Sequence, residues 1–370
     1  MAKPAASLID HFSQLPDPRI EGRTAHRLLD IVVIAVCGAI CGADNWVAIA
    51  AFGQAKQEWL KTFLALPNGI PSHDTFGRVF AQISPWAFPD CFTAWVQAII
   101  PKLEGEIVPI EGKTLRRSYD RATGKGALHM VNAWAVNNRL VLGQFHGAGS
   151  LEEISIIPEL LRVLAIKGCI VTIDALGCHK TTAAQIIDQQ GDYVLAVKEN
   201  QPKLLAHVRQ VFDRPERHLR RDLSVDYWET YDENHGRIET RRYWTTDQID
   251  DFPQQKRWKG LRLFGMVEAE RRLGKQVTLE RRYYISSLDN DAQRFAEAVR
   301  GHWGIENSLH WVLDVAFRED DSRIRKGHAP ENMAVLRQMA LSLLQQEKTA
   351  KVGIQTKRLK AAYDNQYLVK

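Results

Sequence analysis

The chain has 370 residues, of which 45% are hydrophobic and 25% are charged, and its formal net charge is +5. This length favours two or three domains, and the composition is that of a globular protein with a sizeable core, which excludes a disordered or low-complexity chain. The mildly basic charge is compatible with nucleic acid binding but is weak evidence alone.

Cysteine usage and apolar runs indicate the compartment. The five cysteines are scattered, and the chain has no Cys-x-x-Cys pair or zinc-ligand spacing, so a reducing compartment is indicated. The first residues lack the apolar segment of a signal peptide. The longest apolar run, residues 31–42, is short for a membrane span. We therefore expect a cytoplasmic protein.

Residues 1–100 are predicted to be helical. Residues 28–41 are apolar on nearly all sides, as in a central helix, and residues 45–66 continue as an amphipathic helix. The sequence Ser72-His-Asp-Thr75 has the residue types of a helix N-cap. The turn and the helix around it fit either a helix-turn-helix with Arg78 outward or one more hairpin of a helical bundle.

The composition changes after Pro101, and the next segment alternates between strands and helices. Pro109 lies in the first strand, which suggests an edge strand or a bulge. The order of three strands, helix, strand, helix, strand, helix predicts a mixed sheet with helices on its faces. The predicted strands are 107–110, 129–136, 140–145, 169–174 and 192–197, and the predicted helices are 152–165, 181–190 and 202–212.

The second half of the chain begins with another change. Residues 213–223 are dominated by Arg, Asp and Pro and mark a boundary. Alternating runs with turn signals over residues 225–287 predict an antiparallel β insertion. Helices are predicted over 291–315 and 330–347, whereas the last residues, 348–370, carry a basic cluster and little pattern. The predicted fold class is α/β, with an all-α amino-terminal domain.

Three carboxylates stand out at or near the ends of predicted elements. Asp174 ends a run of β-branched residues, Glu111 follows the first strand, and Glu306 lies in the late helix. If the first and fourth strands are neighbours, their carboxyl ends lie side by side, where open α/β sheets carry out chemistry. The alternatives are that Asp174 caps the next turn and that Glu306 is a solvated helical residue.

Convergence of these carboxylates would point to metal chemistry. Three converging carboxylates repel one another unless cations neutralise them, and oxygen ligands of this kind suit Mg²⁺ or Mn²⁺. Two such ions would activate a water or hydroxyl and stabilise the leaving oxygen of a phosphodiester.

Cations flank the three acids, as binding to a phosphate backbone requires. The alternative is that each cation pairs with an acid on a solvated face. Trp303 and Trp311 are expected to pack into the core, with base stacking as the alternative. The predicted DNA contacts are Lys113, Arg116, Arg237, Arg300, His302 and Lys326.

Four ordered segments resemble the ISAs1 family of insertion-sequence transposases, which includes the H-repeat-associated proteins. The similarity covers nearly the whole chain, including Asp17-Pro-Arg19 and Ser72-His-Asp-Thr-Phe76. The four segments are Ile110-Glu-Gly-Lys-Thr-Leu-Arg116, Thr172-Ile-Asp-Ala-Leu-Gly-Cys178, His235-Gly-Arg-Ile-Glu239, and Arg300-Gly-His-Trp-Gly-Ile-Glu-Asn307 with Leu309-His-Trp-Val-Leu-Asp314.

The resemblance implies an RNase H-like core of the DDE type, with a β-rich insertion before the last acidic helix. It implies metal-dependent cleavage and strand transfer at the ends of a mobile element, with Glu111, Asp174 and Glu306 as catalytic residues and ligands of two Mg²⁺ or Mn²⁺ ions. The expected partners are double-stranded DNA, as terminal inverted repeats and target, and a second copy of the chain. A bacterial cytoplasmic protein, at the nucleoid when bound to DNA, is expected.

The changes of composition and pattern divide the chain, and the resemblance indicates what each part is. Residues 1–100 are expected to be an associated DNA-binding domain, 101–223 the first part of the catalytic core, 224–288 the insertion, 289–347 the rest of the core, and 348–370 a basic tail.

Two features of the chain depart from the pattern of the family. The first acid is normally Asp in an Asp-Gly-Lys-Thr context, and this chain has Glu111 there. One extra methylene matters because Mg²⁺ demands near-ideal octahedral geometry. The Tyr-x-x-Arg-x-x-x-Glu-x-x-x-x-x-x-Lys signature of related transposases falls on Val299, His302, Glu306 and Leu313. The alternatives are therefore a weakened or inactive DNA-binding derivative and, less favoured, a metal-dependent nuclease that serves a host process.

Overall fold

The computed structural model describes residues 8–100, 103–119, 124, 126–147, 153–213, 225–234 and 236–369. The chain divides into two compact units. Unit 1 comprises residues 1–101, 112–152 and 306–370, and unit 2 comprises 102–111 and 153–305. Most of the predicted boundary at 213–223 lies outside the described residues.

Helices and strands occur in the predicted order. The α-helices are α1 Leu8–Phe12, α2 Leu28–Ile40, α3 Trp46–Ala55, α4 Gln57–Leu60, α5 His73–Gln82, α6 Ala87–Ile99, α7 Glu153–Val163, α8 Lys180–Asp188, α9 Pro202–Phe212, α10 Ala292–Ile305, α11 Trp311–Phe317, α12 Ala329–Gln346, α13 Ile354–Tyr363 and α14 Asn365–Leu368. The strands are β1 Ile107–Thr114, β2 His129–Ala135, β3 Leu140–Gly147, β4 Ile170–Ile173, β5 Asp192–Val197, β6 Val225–Asn234, β7 Arg237–Thr246, β8 Leu263–Leu273 and β9 Gln276–Ser286. None of the described helices is long and apolar enough to cross a membrane.

Helix α2 is the central helix of unit 1, as its apolar sequence predicts. Ten of its residues are buried. The predicted helix over 45–66 is divided, because Lys56 leaves the helical conformation between α3 and α4 and donates to the side chain of Asn365 at 2.6 Å. The predicted cap is confirmed, since the Ser72 hydroxyl accepts from the backbone N–H of Thr75. Arg78 is exposed on α5.

The sheet confirms the predicted α/β class and the RNase H-like strand order. In unit 1, β2 and β3 form an antiparallel hairpin beside the end of β1. In unit 2 the order is β1-β4-β5-β9-β8-β7-β6, with β1, β4 and β5 parallel. Strand β1 has neighbours on both sides, so the prediction that Pro109 marks an edge strand is wrong. Alternate N–H groups of a strand face opposite neighbours, so one proline removes only one ladder bond.

Strands β6–β9 form the predicted antiparallel insertion within unit 2. One cross-strand row carries alternating charges, Glu229, Arg242, Glu268 and Arg281, whose consecutive pairs lie at 3.0, 3.2 and 2.8 Å. Near α10 the insertion is apolar instead, and Phe295 packs edge-on against Tyr243 and Tyr284. The register of these strands is therefore fixed both by charge pairs and by an aromatic cluster.

The carboxyl-terminal region differs from the sequence prediction in two places. The single helix predicted over 291–315 is interrupted by a π-helical turn, Glu306–His310, between α10 and α11. The last residues, which show little pattern, fold as α13 and α14. Lys357 and Arg358 of α13 are buried and donate to backbone carbonyls of Leu344 and Ala39. The sequence predicted a basic tail at residues 348–370, but two of its basic side chains lie on the buried face of a helix.

Candidate active site

The carboxyl ends of β1 and β4 bring two of the predicted acids together within unit 2. The strands are parallel, and Ile110 pairs with Ile173 in the ladder. Glu111 and Asp174 are the next residues of the two strands, so they occupy adjacent positions at the same edge. The sequence analysis made this juxtaposition conditional on the first and fourth strands being neighbours, and the structure meets that condition.

Asp174 also performs the alternative role that its position suggests. One carboxylate oxygen, Oδ1, accepts from the backbone N–H of Leu176 at 2.9 Å and caps the short 3₁₀ turn Ala175–Gly177. This bond fixes the orientation of the carboxylate at the end of β4. A Cβ at Gly177 would lie 2.3 Å from Ile173, so the turn that presents Asp174 requires glycine for close packing.

The last turn of α10 lies against the same two strands. The His302 ring nitrogen Nδ1 is 3.0 Å from the Thr172 hydroxyl, two residues before Asp174. At Gly301 a Cβ would be 2.8 Å from the side chain of Ile107 on β1. The glycine and the histidine therefore hold the end of α10 close to the strands that lead to Glu111 and Asp174.

Burial lowers the pKa of His302 to about 4, which makes its imidazole neutral at pH 7. A neutral ring that is bonded to Thr172 brings no positive charge to a phosphate. The sequence prediction placed His302 among the DNA contacts, and the geometry gives it a positioning contact inside unit 2.

Glu306 is the first residue of the π-helical turn and belongs to unit 1. Its side chain is exposed and forms no hydrogen bond or ion pair with any described residue. It follows His302 by four residues, the spacing that places two side chains on one face of a helix. π-Helical turns inside α-helices are frequent at functional sites because they redirect side chains.

The donor chemistry of these acids suits a hard divalent ion. Mg²⁺ and Mn²⁺ prefer carboxylate oxygens, and two carboxylates at adjacent strand ends gain from a shared cation. No group of three or more His, Cys, Asp or Glu side chains in the described part of the chain stands ready to hold a metal ion. The residue types therefore fit, although an assembled three-ligand group is not among the described side chains.

Lys113 follows Glu111 closely, but acids of unit 1 take up its charge. Its ammonium group lies 2.5 Å from Asp314 and 2.9 Å from Glu319. Burial alone would lower the pKa of Lys113, but Glu319 and Asp314 outweigh it and raise that pKa. Lys113 is thus a fully charged group with internal counter-ions, which is the alternative that sequence reasoning left open.

The neighbouring arginines follow the same pattern. Arg116 lies 3.3 Å from Asp320, and Arg117 lies 3.2 Å from Asp321. Sequence reasoning missed these acids as partners of the basic segment. The run Glu319-Asp-Asp321 was a visible signal, since three consecutive carboxylates call for nearby cations.

The remaining predicted DNA contacts are more available to a ligand than Lys113 and Arg116 are. Arg237 is exposed and lies 3.3 Å from Glu239, its neighbour on β7. Arg300 and Lys326 are exposed and form no ion pair within the described ranges. His235 lies outside the described residues.

The two tryptophans differ from each other. Trp303 stacks under Arg282, with the guanidinium carbon 4.4 Å from the ring centre. Trp311 is 61% exposed, so the prediction that it packs into the core is wrong. Its helix α11 buries Leu313, Ala316 and Phe317 instead, which leaves Trp311 on the opposite face.

Comparison with known proteins connects this arrangement to a family. The family model described as "Transposase DDE domain" matches residues 103–343, and the model described as "DDE_Tnp_1-associated" matches residues 9–96. "Putative transposase YncI" of Escherichia coli O157:H7 is 42% identical, covering 98% of this chain and 93% of the relative. "H repeat-associated putative transposase YhhI" of Escherichia coli strain K12 is 40% identical, covering 98% and 96%.

A solved structure is similar at a lower level. The piggyBac transposase in a synaptic complex with hairpin DNA aligns with a TM-score of 0.46 and 11% identity, over 98% of this chain and 78% of that chain. A likeness at that level carries no argument about function.

Proposed function

This chain belongs to the DDE transposase family, and on that premise we propose that it cleaves the DNA ends of its own insertion sequence and transfers them to a target. Water is the first nucleophile and attacks a phosphodiester at the element end. The 3′-hydroxyl freed in that step is the second nucleophile and attacks the target strand.

The observation that carries this proposal is the register of β1 and β4, which makes Glu111 and Asp174 neighbours. We assign these two acids, with the unpaired Glu306, as holders of two Mg²⁺ or Mn²⁺ ions. Such ions, when bound, activate the nucleophile and stabilise the leaving oxygen. The cap on Leu176 holds Asp174 in one orientation, and the contact between His302 and Thr172 holds the end of α10 against β4.

Phosphate contacts are assigned to exposed cations that have no ion pair, or only one, among the described residues. Arg300 and Lys326 meet that description, and the exposed Arg237 is shared with a single glutamate. Lys113 and Arg116 have acidic partners, so they contribute less to binding. We further propose that two copies of the chain act together on paired element ends.

The test requires DNA with the element's own ends, which sequencing on either side of the reading frame supplies. The full chain is incubated with a supercoiled plasmid that carries these ends, with Mg²⁺, with Mn²⁺ and with chelator. Nicking that depends on the metal and on the ends is expected. Asp174→Asn removes a charge at the strand end and should abolish nicking, whereas Asp188→Asn, an exposed acid of α8 beside Lys259, should retain it. If the Asp174→Asn protein nicks as fast as the natural chain, this site is not the catalytic centre.

A second candidate function is favoured by Glu111 itself. A glutamate where the family has aspartate places the carboxylate about one bond further from the strand, and Mg²⁺ tolerates little distortion. The chain would then be a DNA-binding derivative with weak or no cleavage. Glu111→Asp separates the two functions. Cleavage that appears only in this variant identifies the derivative, and cleavage by the natural chain at a similar rate identifies the active enzyme.

A further inference from the structure

A cavity of about 550 Å³ lies within unit 1. Its walls come from the amino-terminal end of α3, from the segment after α11 and from α12. The volume falls in the range of about 300–1,000 Å³ that is typical of small-molecule sites. The lining residues that bear charge or a polar group relevant here are Asp44, Asn45, Arg318, Asp321, Arg323 and Arg337.

Arg337 of α12 is the unusual group in this wall. Its side chain is buried, with 1% of the residue exposed, and its Nε and Nη1 atoms have no hydrogen-bond partner among the described residues. Nη2 has only a long contact of 3.5 Å, to the backbone oxygen of Asp44. A buried guanidinium without acceptors is costly, and such groups in native proteins call for a ligand or an ion.

Arg358, a buried arginine of the same unit, differs from Arg337 because the chain supplies acceptors for its guanidinium. Its Nε and Nη2 donate to the backbone oxygen of Ala39, its Nη1 donates to that of Ala316, and its Nη2 also donates to the Asp44 carboxylate at 2.5 Å. Both arginines are buried to the same extent. Arg337, which lines the cavity, therefore lacks the acceptors that Arg358 has.

The acids of the cavity already have cationic partners. Asp44 is paired with Arg358, and Asp321 lies 3.3 Å from Arg318 and 3.2 Å from Arg117. Glu319 and Asp314, which also face Arg337 electrostatically, are held by Lys113.

Two further features make the cavity electropositive. Arg323 has no ion pair with the described residues, and Nε and Nη1 of Arg337 have no hydrogen-bond acceptor among them. The amino-terminal end of α3 adds to it: Asn45 caps the helix by accepting from Ala48, and both residues line the cavity.

We propose that this cavity binds a phosphate group, which accepts hydrogen bonds from Arg337 and pairs with Arg323. A guanidinium donates in a planar fork that matches two oxygens of a phosphate. The volume accommodates a phosphate together with an attached nucleoside, so the group belongs either to a free nucleotide or to the backbone of a DNA strand. None of the carboxylates assigned to cleavage is among the described residues that line the cavity.

Thermal unfolding of the full chain tests the proposal without any cleavage assay. The melting temperature is measured in sodium phosphate and in sodium chloride at equal ionic strength. Phosphate at about ten times its dissociation constant should raise the melting temperature by about 2–4 °C relative to chloride. An equal melting temperature in both salts at the highest phosphate concentration, together with no shift by adenosine monophosphate or a short duplex, overturns the proposal.

Four variants make the result specific to the cavity. Arg337→Met and Arg323→Ala should lose the phosphate shift, and the exposed position of Arg323 keeps that test valid if Arg337→Met does not fold. Arg162→Ala, an exposed arginine of α7 in unit 2, should keep it. Arg358→Met should lower the melting temperature in both salts and keep the difference between them. A full phosphate shift in Arg323→Ala and Arg337→Met contradicts the assignment.

Competition distinguishes the two sources of phosphate. A fluorescent nucleotide monophosphate is bound first, and unlabelled monophosphate or a short DNA duplex is added. Displacement by the monophosphate alone assigns a free nucleotide, and displacement by the duplex assigns a backbone phosphate. Both outcomes support the site provided that Arg323→Ala weakens the displaced complex by about ten-fold, and an unchanged complex in that variant opposes it.

Discussion

Two basic regions near the predicted catalytic acids differ in how their charges are used. After β1, Lys113 and Arg116 form ion pairs with acids of residues 314–321 within unit 1. At the end of α10, Arg300 has no ion pair among the described residues, and Glu306 follows with no partner. In the sequence both regions read alike, as cations beside a carboxylate.

The difference shows where an external ion or phosphate has a role. Charges that the chain neutralises itself stabilise the fold, and removing one partner leaves the other buried and unpaired. Charges without internal partners cost little while exposed and remain available to a ligand. We therefore expect variants of the first region to change stability and variants of the second to change DNA cleavage or binding.

The largest effect on DNA cleavage is expected for a substitution of Glu306. Without that effect, the distinction between the two basic regions would not hold. Glu306→Gln should reduce metal-dependent nicking by at least about 10³-fold, equivalent to about 4 kcal/mol, because a neutral amide does not replace a metal-binding carboxylate. Binding to the element ends should persist. The control is Glu297→Gln, an exposed glutamate of α10 that pairs with Arg294. Equal nicking by the Glu306 and Glu297 variants would remove Glu306 from the catalytic set.

Lys113→Met should lower the free energy of unfolding by about 3 kcal/mol. The reason is that Glu319, whose side chain is 2% exposed, loses the ammonium group at 2.9 Å. Urea unfolding at pH 7 measures the change, and Lys326→Met, an exposed lysine of unit 1, should stay within about 0.5 kcal/mol of the natural chain. A Lys113→Met protein of unchanged stability but impaired DNA binding would reverse the assignment of the first region.

Arg300→Ala should weaken binding to the element ends by about ten-fold, or about 1.4 kcal/mol, and reduce the slope of log affinity against log salt by about one. Arg294→Ala is the matched control on the same helix, because Arg294 is held by Glu297 and by the backbone oxygen of Gly105. Titrations at several salt concentrations measure both quantities. The same salt slope in both variants would mean that the free guanidinium of Arg300 meets no phosphate.

The smallest expected effect is the pH dependence that His302 introduces. Its pKa is about 4 in the folded chain, below the ordinary 6.5, so the unfolded chain takes up the proton first as the pH falls. Stability is therefore lost progressively between about pH 6.5 and pH 4. Going from pH 7 to pH 5.5 should cost the natural chain about 1 kcal/mol more than His302→Gln. Parallel pH profiles in the two proteins would show that the pKa of His302 is the same in the folded and the unfolded chain.

Much of the fold could be predicted because it depends on local patterns. The alternation of strands and helices after Pro101 predicts parallel neighbours, and the β-branched run before Asp174 predicts a buried strand. These two signals place Glu111 and Asp174 at one sheet edge if the two strands are neighbours, and the ladder shows that they are. The break of the late helix at Glu306 could not be read, since its helical periodicity continues through the π-helical turn.

The sequence by itself determined which residue types were present for metal and phosphate chemistry, and that two of the acids follow predicted strands. Only the tertiary structure decided which charges find partners, since Lys113 meets Glu319 across 206 residues and Arg358 meets Asp44 across 314. It also left Nε and Nη1 of the buried Arg337 without an acceptor among the described residues. The physical reason is that patterning along a chain reports burial against local neighbours, whereas neutralisation of a charge depends on distant segments that folding brings within hydrogen-bond distance.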